Sequence, residues 1–190
     1  MLRKRCKNRL FFITAKHIII FIRMDIYEPQ YQLTYDSPCG TLRIHSNGKG
    51  VVKIERIYEY DKTTDKPDSL CEQAKQELVE YFDGVRTIFE VAIDLTSGTP
   101  FQQGVWDQLC KIPFGKTKSY GALANALGNP KAVRAVGTAN GKNPILIIVP
   151  CHRVIGADGS LTGFSAGIDI KKCLLSLEQG KTVGSQICLF

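Results

Sequence analysis

The last half of this chain is short of acid. Between residues 99 and 190 only Asp107, Asp158, Asp169 and Glu178 carry carboxylates, against ten basic groups, a net +6. Residues 25–98 are the reverse, with fourteen acids and eight bases, a net −6. The chain therefore reads as two units, and the basic one favours polyanions, of which nucleic acid is the commonest. There is no C-x-x-C among the seven cysteines, whose number is odd and whose spacing is wide. That argues against a disulfide framework or a compact zinc knuckle and fits a reducing compartment. No stretch reaches the roughly 18 apolar residues of a membrane span. Residues 1–24 carry seven basic groups and no acid. They mimic a signal peptide, but Lys16 and His17 cut the apolar run and no small-residue cleavage site follows. They read as a basic extension outside the fold, with Met24 as an alternative start.

What is present is a chain of 190 residues, 44% hydrophobic, enough for one domain with a small companion. Tyr31–Tyr35, Thr41–Ser46 and Val51–Arg56 alternate as short strands, and "SPCG" and "SNGKG" supply the turns of an antiparallel sheet. Asp61–Asp68 is a polar loop. Ser69 and Glu72 form a capping box, and Leu70, Ala74, Leu78 and Phe82 share one face of a helix that Gly84 ends. "TIFEVAIDL" returns as a strand. Cys39 and His45 are two stray ligand types, too few for a metal site. Residues 25–98 thus form a small α+β unit, and "SGTPFQQGVW" is the joint to a second unit over 99–190.

In that second unit Phe101–Cys110 is helical. Ser119 caps a helix through "YGALANAL", Gly128-Asn129-Pro130 stops it, and Asn129 caps "PKAVRAVGTAN". Helix, short turn, helix is the helix-turn-helix pattern. The second helix is nearly all small residues with one Arg134, where a major-groove reader carries several long polar side chains. A small-residue helix suits the minor groove, with one long side chain as a wedge. Tight helix packing explains the small residues equally well.

Then comes "ILIIVPCHRVIG", which reads as a buried strand that Pro150 stops at Cys151. A free thiol is mostly protonated at neutral pH, with a pKa of about 8.5. An imidazole that takes its proton makes a thiolate nucleophile, and the imidazole needs a carboxylate to orient it. His152 on a strand points away from Cys151; in a turn it swings beside the thiol. Glu178 ends the helix "GIDIKKCLLSLEQG", whose buried face is Ile170, Leu174 and Leu177, and there its charge opposes the helix dipole. Surface chance accounts for a lone glutamate; beside a Cys–His pair a third-partner role is worth naming. Arg153 is either a structural ion pair or a phosphate contact.

"PCHRV", with "SYGALA", "GNPKAVRAVGTANGKNP" and "GFSAGIDIKKCLLSLEQG", resembles the O6-alkylguanine-DNA alkyltransferases, or methylated-DNA–protein-cysteine methyltransferases. The likeness is close over about 101–180, weak over 25–98 and absent before Met24. It implies an α+β fold: a ribonuclease-H-like N-terminal sheet with a helix, then a helical winged helix-turn-helix domain. It implies repair by direct, single-turnover transfer of the alkyl group from O6 of a flipped guanine, and less well from O4-alkylthymine, to Cys151. His152 and Glu178 complete the relay through a water, and Asn143 braces the cysteine segment. Tyr120 donates to N3 of the base, main-chain groups at Cys151, Val154 and Ser165 read the guanine edge, and Phe164 walls the pocket. Arg134 fills the gap left by the base, with Ser119, Ala132, Ala135 and Gly137 against the DNA. The partner is double-stranded DNA bearing O6-alkylguanine, with no cofactor, metal or membrane. The protein acts as a monomer in the cytoplasm, or in the nucleus of a eukaryote.

Two positions depart from the family. Phe164 replaces a common tyrosine, and Leu146 stands where some members have proline, which puts the alkyl preference in question. The zinc ligands of animal members are not reproduced before Phe101. Competing readings are a non-catalytic winged-helix DNA-binding regulator, a damage-recognition protein that binds without transfer, and a cysteine hydrolase. The damage binders replace the cysteine that this chain keeps as Cys151. A hydrolase would turn over and would not need the helix pair.

Overall fold

The computed structural model describes residues 30–59 and 62–180. The basic extension lies outside the described residues. Three strands, β1 (Tyr31–Ser37), β2 (Gly40–Ser46) and β3 (Val51–Arg56), form an antiparallel meander. Its register aligns Leu33 with Ile44 and Ile44 with Ile54, so these residues form one row across a buried face. The row is covered by α1 (Ser69–Phe82), which buries Cys71, Ala74, Leu78 and Tyr81. The inward face is therefore turned by about a residue from the expected one: Tyr81 enters the core, while Leu70 and Phe82 are only half-buried.

The cap of α1 also differs from the expected box. Asp68 is the N-cap, accepting from the Cys71 amide at 2.8 Å, and Ser46 Oγ donates to its other oxygen at 2.6 Å. Asp68 is tied both to the helix and to β2, which Ser69 is not. Residues 87–95 bend at 87–88 and 91 and form no strand. Glu77 explains why: its carboxylate takes the Glu90 and Val91 amides at 2.8 and 3.1 Å, donors a ladder would use. Only a parallel bridge between Val51 and Ile93 joins this segment to β3.

The second unit opens with α2 (Pro100–Cys110), capped by a Thr99–Gln102 box with Pro100 in its first turn. It packs against α4 (Val133–Gly141), where Trp106 Nε1 donates to the Ala139 carbonyl at 2.9 Å. Between them lie β4 (Lys118–Ser119) and α3 (Tyr120–Ala126). Ser119 caps α3 as expected, accepting from Ala122 N at 3.1 Å. Asn129 makes no side-chain cap; Pro130–Ala132 is a 3-10 turn that leads into α4. β5 (Val154–Ile155) pairs parallel with β4, and α5 (Ile168–Glu178) closes the described chain.

The apolar run 145–149 is buried but is not a strand. Ile145 alone bridges to Ile54, so the edge of the N-terminal sheet grips residues 144–146 through Ile54 N to Pro144 O (3.0 Å) and Leu146 N to Ile54 O (3.1 Å). The chain then coils, with Ile147 at φ 70. A β-branched residue in the left-handed region is strained, and the fold must hold it there. Asn143 does so. Its Nδ2 reaches the Ile145 and Val149 carbonyls at 3.2 and 2.8 Å, and its Oδ1 accepts from Ile145 N at 3.0 Å.

Replacing Asp68 with Ala is expected to destabilise the protein by about 1–2 kcal/mol, the loss of a helix cap. Ser69→Ala and Glu72→Ala are expected to stay within about 0.5 kcal/mol of the starting protein, as surface substitutions do. Urea denaturation of the three variants checks the assignment of the cap.

Candidate active site

Four segments converge below the helix pair. Pro150 ends the coiled run, and Cys151–Arg153 forms one 3-10 turn that places three consecutive side chains in the interior. Cys151 is 1% exposed and His152 and Glu178 are sealed from solvent. In this turn the imidazole is directed to Glu178 and the thiol to Asn143.

Cys151 Sγ accepts from Asn143 Nδ2 at 3.0 Å. Burial pushes the thiol up to about 11, against the opposing pull of that amide and of the Lys171 ammonium. At rest the sulfur is therefore protonated, and a base is needed to release it. His152 Nε2 lies 2.8 Å from Glu178 Oε1. Burial opposes the charge on Glu178, but the hydrogen bonds from His152 and Arg153 outweigh it and bring the carboxyl down to about 2. A carboxylate only accepts, so Nε2 carries the proton. That leaves His152 Nδ1 as a lone pair, buried and without a hydrogen-bond partner among the described residues. Burial also lowers the pKa of His152, partly offset by Glu178, so the ring is a neutral base.

Arg153 resolves as the structural ion pair. Its Nε sits 3.1 and 2.9 Å from the two oxygens of Glu178, its Nη2 2.9 Å from Oε1, and its Nη1 donates to the Ile112 carbonyl at 2.6 Å. The Gly115 amide and the Tyr81 hydroxyl complete the shell of Glu178 at 3.0 and 2.8 Å.

The other expected site residues divide between this centre and the surface. Tyr120 starts α3, and its hydroxyl donates to the Thr162 carbonyl at 3.2 Å. Burial, and then the nearby Cys151, raise its pKa, so it stays a donor. Gly137 of α4 faces the Tyr120 ring: a β-carbon there would come within 3.8 Å of it. Val154 is buried beside the turn, Ser165 is exposed, and Phe164 shares a small apolar cavity with Leu146, Cys39 and Ile170. Arg134 and Ala135 lie on the exposed face of α4, with Ala132 and Ser119 half-exposed at the edges of the helix pair. Cys39 and His45 take different partners, Cys173 Sγ at 3.5 Å and Glu55 at 3.2 Å.

Two buried residues at the centre were not expected from the sequence. Lys171 is fully buried, donating from Nζ to the Val154 and Thr162 carbonyls at 2.6 and 3.2 Å. Helical spacing carried a signal for it, since 171, 174 and 178 share a face of α5. Tyr81 had the same kind of signal, three residues after Leu78, but nothing local linked it to Glu178, 97 positions away.

Sequence profiles for "6-O-methylguanine DNA methyltransferase, ribonuclease-like domain" and "6-O-methylguanine DNA methyltransferase, DNA binding domain" match residues 31–95 and 100–180. A methylated-DNA–protein-cysteine methyltransferase of Mycobacterium tuberculosis is 49% identical over 152 residues, which span 78% of this chain and 92% of the relative. The chain belongs to the 6-O-methylguanine DNA methyltransferase family. A Methanosarcina acetivorans methyltransferase is 45% identical over 154 residues, 78% of this chain and 97% of the relative. The crystal structure of Mycobacterium tuberculosis OGT in complex with DNA superposes with a TM-score of 0.70 at 48% identity, covering 78% of this chain and 92% of that one. An O6-methylguanine DNA methyltransferase from Methanococcus jannaschii gives 0.59 at 28% identity, covering 80% and 96%. As a family member the chain is a DNA-repair methyltransferase that binds DNA, with the α+β fold expected from the sequence. No helix among the described residues is long and apolar enough to cross a membrane.

Because Glu178 has a lower pKa folded than its ordinary 4.5, its ionised form contributes stability above that value, and the contribution fades as pH falls toward about 2. Glu178→Gln leaves Arg153 buried without its countercharge, and is expected to cost about 3–5 kcal/mol at neutral pH. Denaturation curves taken down the acid range should show the gap between the two proteins narrowing through that window.

Proposed function

We propose that the chain repairs double-stranded DNA by moving the alkyl group from O6 of a flipped guanine directly onto Cys151, once per molecule. The observation that carries this reading is the free Nδ1 of a neutral His152, whose other nitrogen is held by ionised Glu178, next to a buried thiol. A water between Nδ1 and Sγ passes the thiol proton to the imidazole. The thiolate then attacks the alkyl carbon, the C–O bond breaks, and the guanine leaves with its electron pair. The product is a thioether, which offers no leaving group comparable to guanine, so the site is not regenerated.

Asn143 steadies the sulfur through Nδ2, and Lys171 favours the thiolate by its charge. Tyr120 exchanges its hydrogen bond to the Thr162 carbonyl for one donated to N3 of the guanine, which helps the purine accept charge. Main-chain groups at Cys151, Val154 and Ser165 read the base edge, and Phe164 walls the pocket. Since Cys151 is 1% exposed, base entry requires the groups that cover the sulfur to move. Outside the pocket, the exposed small residues of α4 allow a close approach to the minor groove. There Arg134 occupies the stack in place of the flipped nucleotide, with Ser119, Ala132, Ala135 and Gly137 along the same face. The protein acts as a monomer, in the cytoplasm or nucleus, and O4-alkylthymine is a poorer substrate.

Incubation with duplex DNA carrying O6-methylguanine is expected to add the mass of one methylene to Cys151, and Cys151→Ala is expected to stay unmodified. An unchanged intact mass, with the lesion bound or even removed, would rule out transfer to the protein. Arg134→Ala is expected to slow repair in duplex DNA by about 10- to 100-fold, the scale of an unstacking cost of a few kcal/mol. Its reaction with free O6-benzylguanine should change little; equal losses on both substrates would remove the wedge role. DNA affinity should fall linearly with salt on logarithmic axes, as phosphate contacts dictate.

A further inference from the structure

One side chain of the N-terminal unit ends inside the reaction centre. Tyr81 is fully buried in α1. Its ring packs on Phe82 and Phe89, each at 5.4 Å between centroids, and on Phe114 at 6.0 Å. Its hydroxyl donates to Glu178 Oε1 at 2.8 Å. That oxygen is also the one that faces His152 Nε2.

Packing does not require the hydroxyl, because phenylalanine would fill the same aromatic nest. Glu178 is not short of donors either: Arg153 spans both oxygens, and the Gly115 amide serves Oε2. What the hydroxyl adds is a neutral donor on the oxygen that His152 uses. Burial first, and then the charge of Glu178, push the phenol well above its ordinary pKa, so it remains a donor at every working pH.

We propose that Tyr81 is a positioning residue for alkyl transfer: its hydroxyl spreads the charge on Glu178 Oε1 and keeps that oxygen in line with His152, which sets the basicity of the imidazole. The proposal rests on the roles given above to Cys151, His152 and Glu178. It makes the acidic N-terminal unit part of the reaction centre through one hydrogen bond across the joint.

The charged and titratable groups around the pair come from every neighbouring element. Arg153 and Cys151 share the turn with His152, Lys171 lies on α5, Tyr81 on α1, and Cys39 in the β1–β2 turn beside Tyr81. On α2, Cys110 and Asp107 sit on the far side of Arg153. Of these only Tyr81 and Arg153 donate to the oxygen shared with His152, and Arg153 is a fixed cation. Removing the phenol therefore leaves more charge on Oε1, which favours protonated His152. Protonated His152 is unable to take the thiol proton, so the acid limb of the reaction moves to higher pH.

The test uses free O6-benzylguanine without DNA, across a pH series, below the melting transitions of all proteins compared. Tyr81→Phe is expected to react about five- to tenfold more slowly at neutral pH, the loss of one hydrogen bond to a charged acceptor. Its acid limb should be displaced to higher pH. Incorporation of 3-fluorotyrosine at position 81, a stronger donor of nearly the same shape, should move the limb to lower pH, and keeps the test decisive if Tyr81→Phe folds poorly. An acid limb that stays at the wild-type position in the folded variants overturns the proposal, whatever happens to the melting temperature. A wild-type protein that gains no mass on Cys151 fails the reading of the site instead, so the two failures are distinct.

Discussion

The structure depends on one buried carboxylate. Glu178 sits in the last turn of α5 with its side chain sealed from water, where an unpaired charge would cost several kcal/mol. It is tolerated because donors reach it from three other segments: Tyr81 from α1, the Gly115 amide from the loop after α2, and His152 with Arg153 from the turn after Pro150. These three segments are far from one another in sequence. Packing the two units together therefore also completes the shell of Glu178. A chain that leaves the Pro150 turn out of place leaves the charges of Glu178 and Arg153 unmet. The guanidinium also answers the helix-end problem: a negative charge at a C-terminus opposes the dipole, and Arg153 supplies the compensating cation.

The thiol is likewise held by its neighbours. Burial alone makes Cys151 a poor acid. Asn143 contributes one amide nitrogen to the sulfur and to the carbonyls of Ile145 and Val149, so the coil that carries the thiol and the contact that steadies it share an atom. Ile147 in the left-handed region shows how tightly that coil is specified. The strain lies between the sheet edge at Ile54 and the Cys151–Arg153 turn.

Much of this was legible in the sequence. The alternation of 31–56 with its glycine turns specified the meander, and Ser119 specified the start of α3. "PCHRV" and Glu178 pointed to a thiol, an imidazole and a carboxylate, and the structure joins the last two. The misreadings share a cause. Residues 87–95 and 145–149 have strand composition, but side chains took the backbone groups a ladder needs: Glu77 for the first, Asn143 for the second. Asp68 displaced Ser69 as the cap because Ser46, a residue of β2, also bonds it. Local pattern sees neither competitor, since each contact joins distant or non-periodic positions.

The sequence by itself determined the turns of the meander, the start of α3, the two-unit charge split and the chemical identities of thiol, imidazole and carboxylate, because these rest on neighbours within a few residues. Only the tertiary structure decided which nitrogen of His152 faces Glu178, that Arg153 is spent on Glu178 rather than on phosphate, and that Tyr81 and Lys171 lie beside these residues. Those outcomes depend on burial and on hydrogen-bond partners up to 97 positions apart, and a chain acquires both only when its two units close on one another.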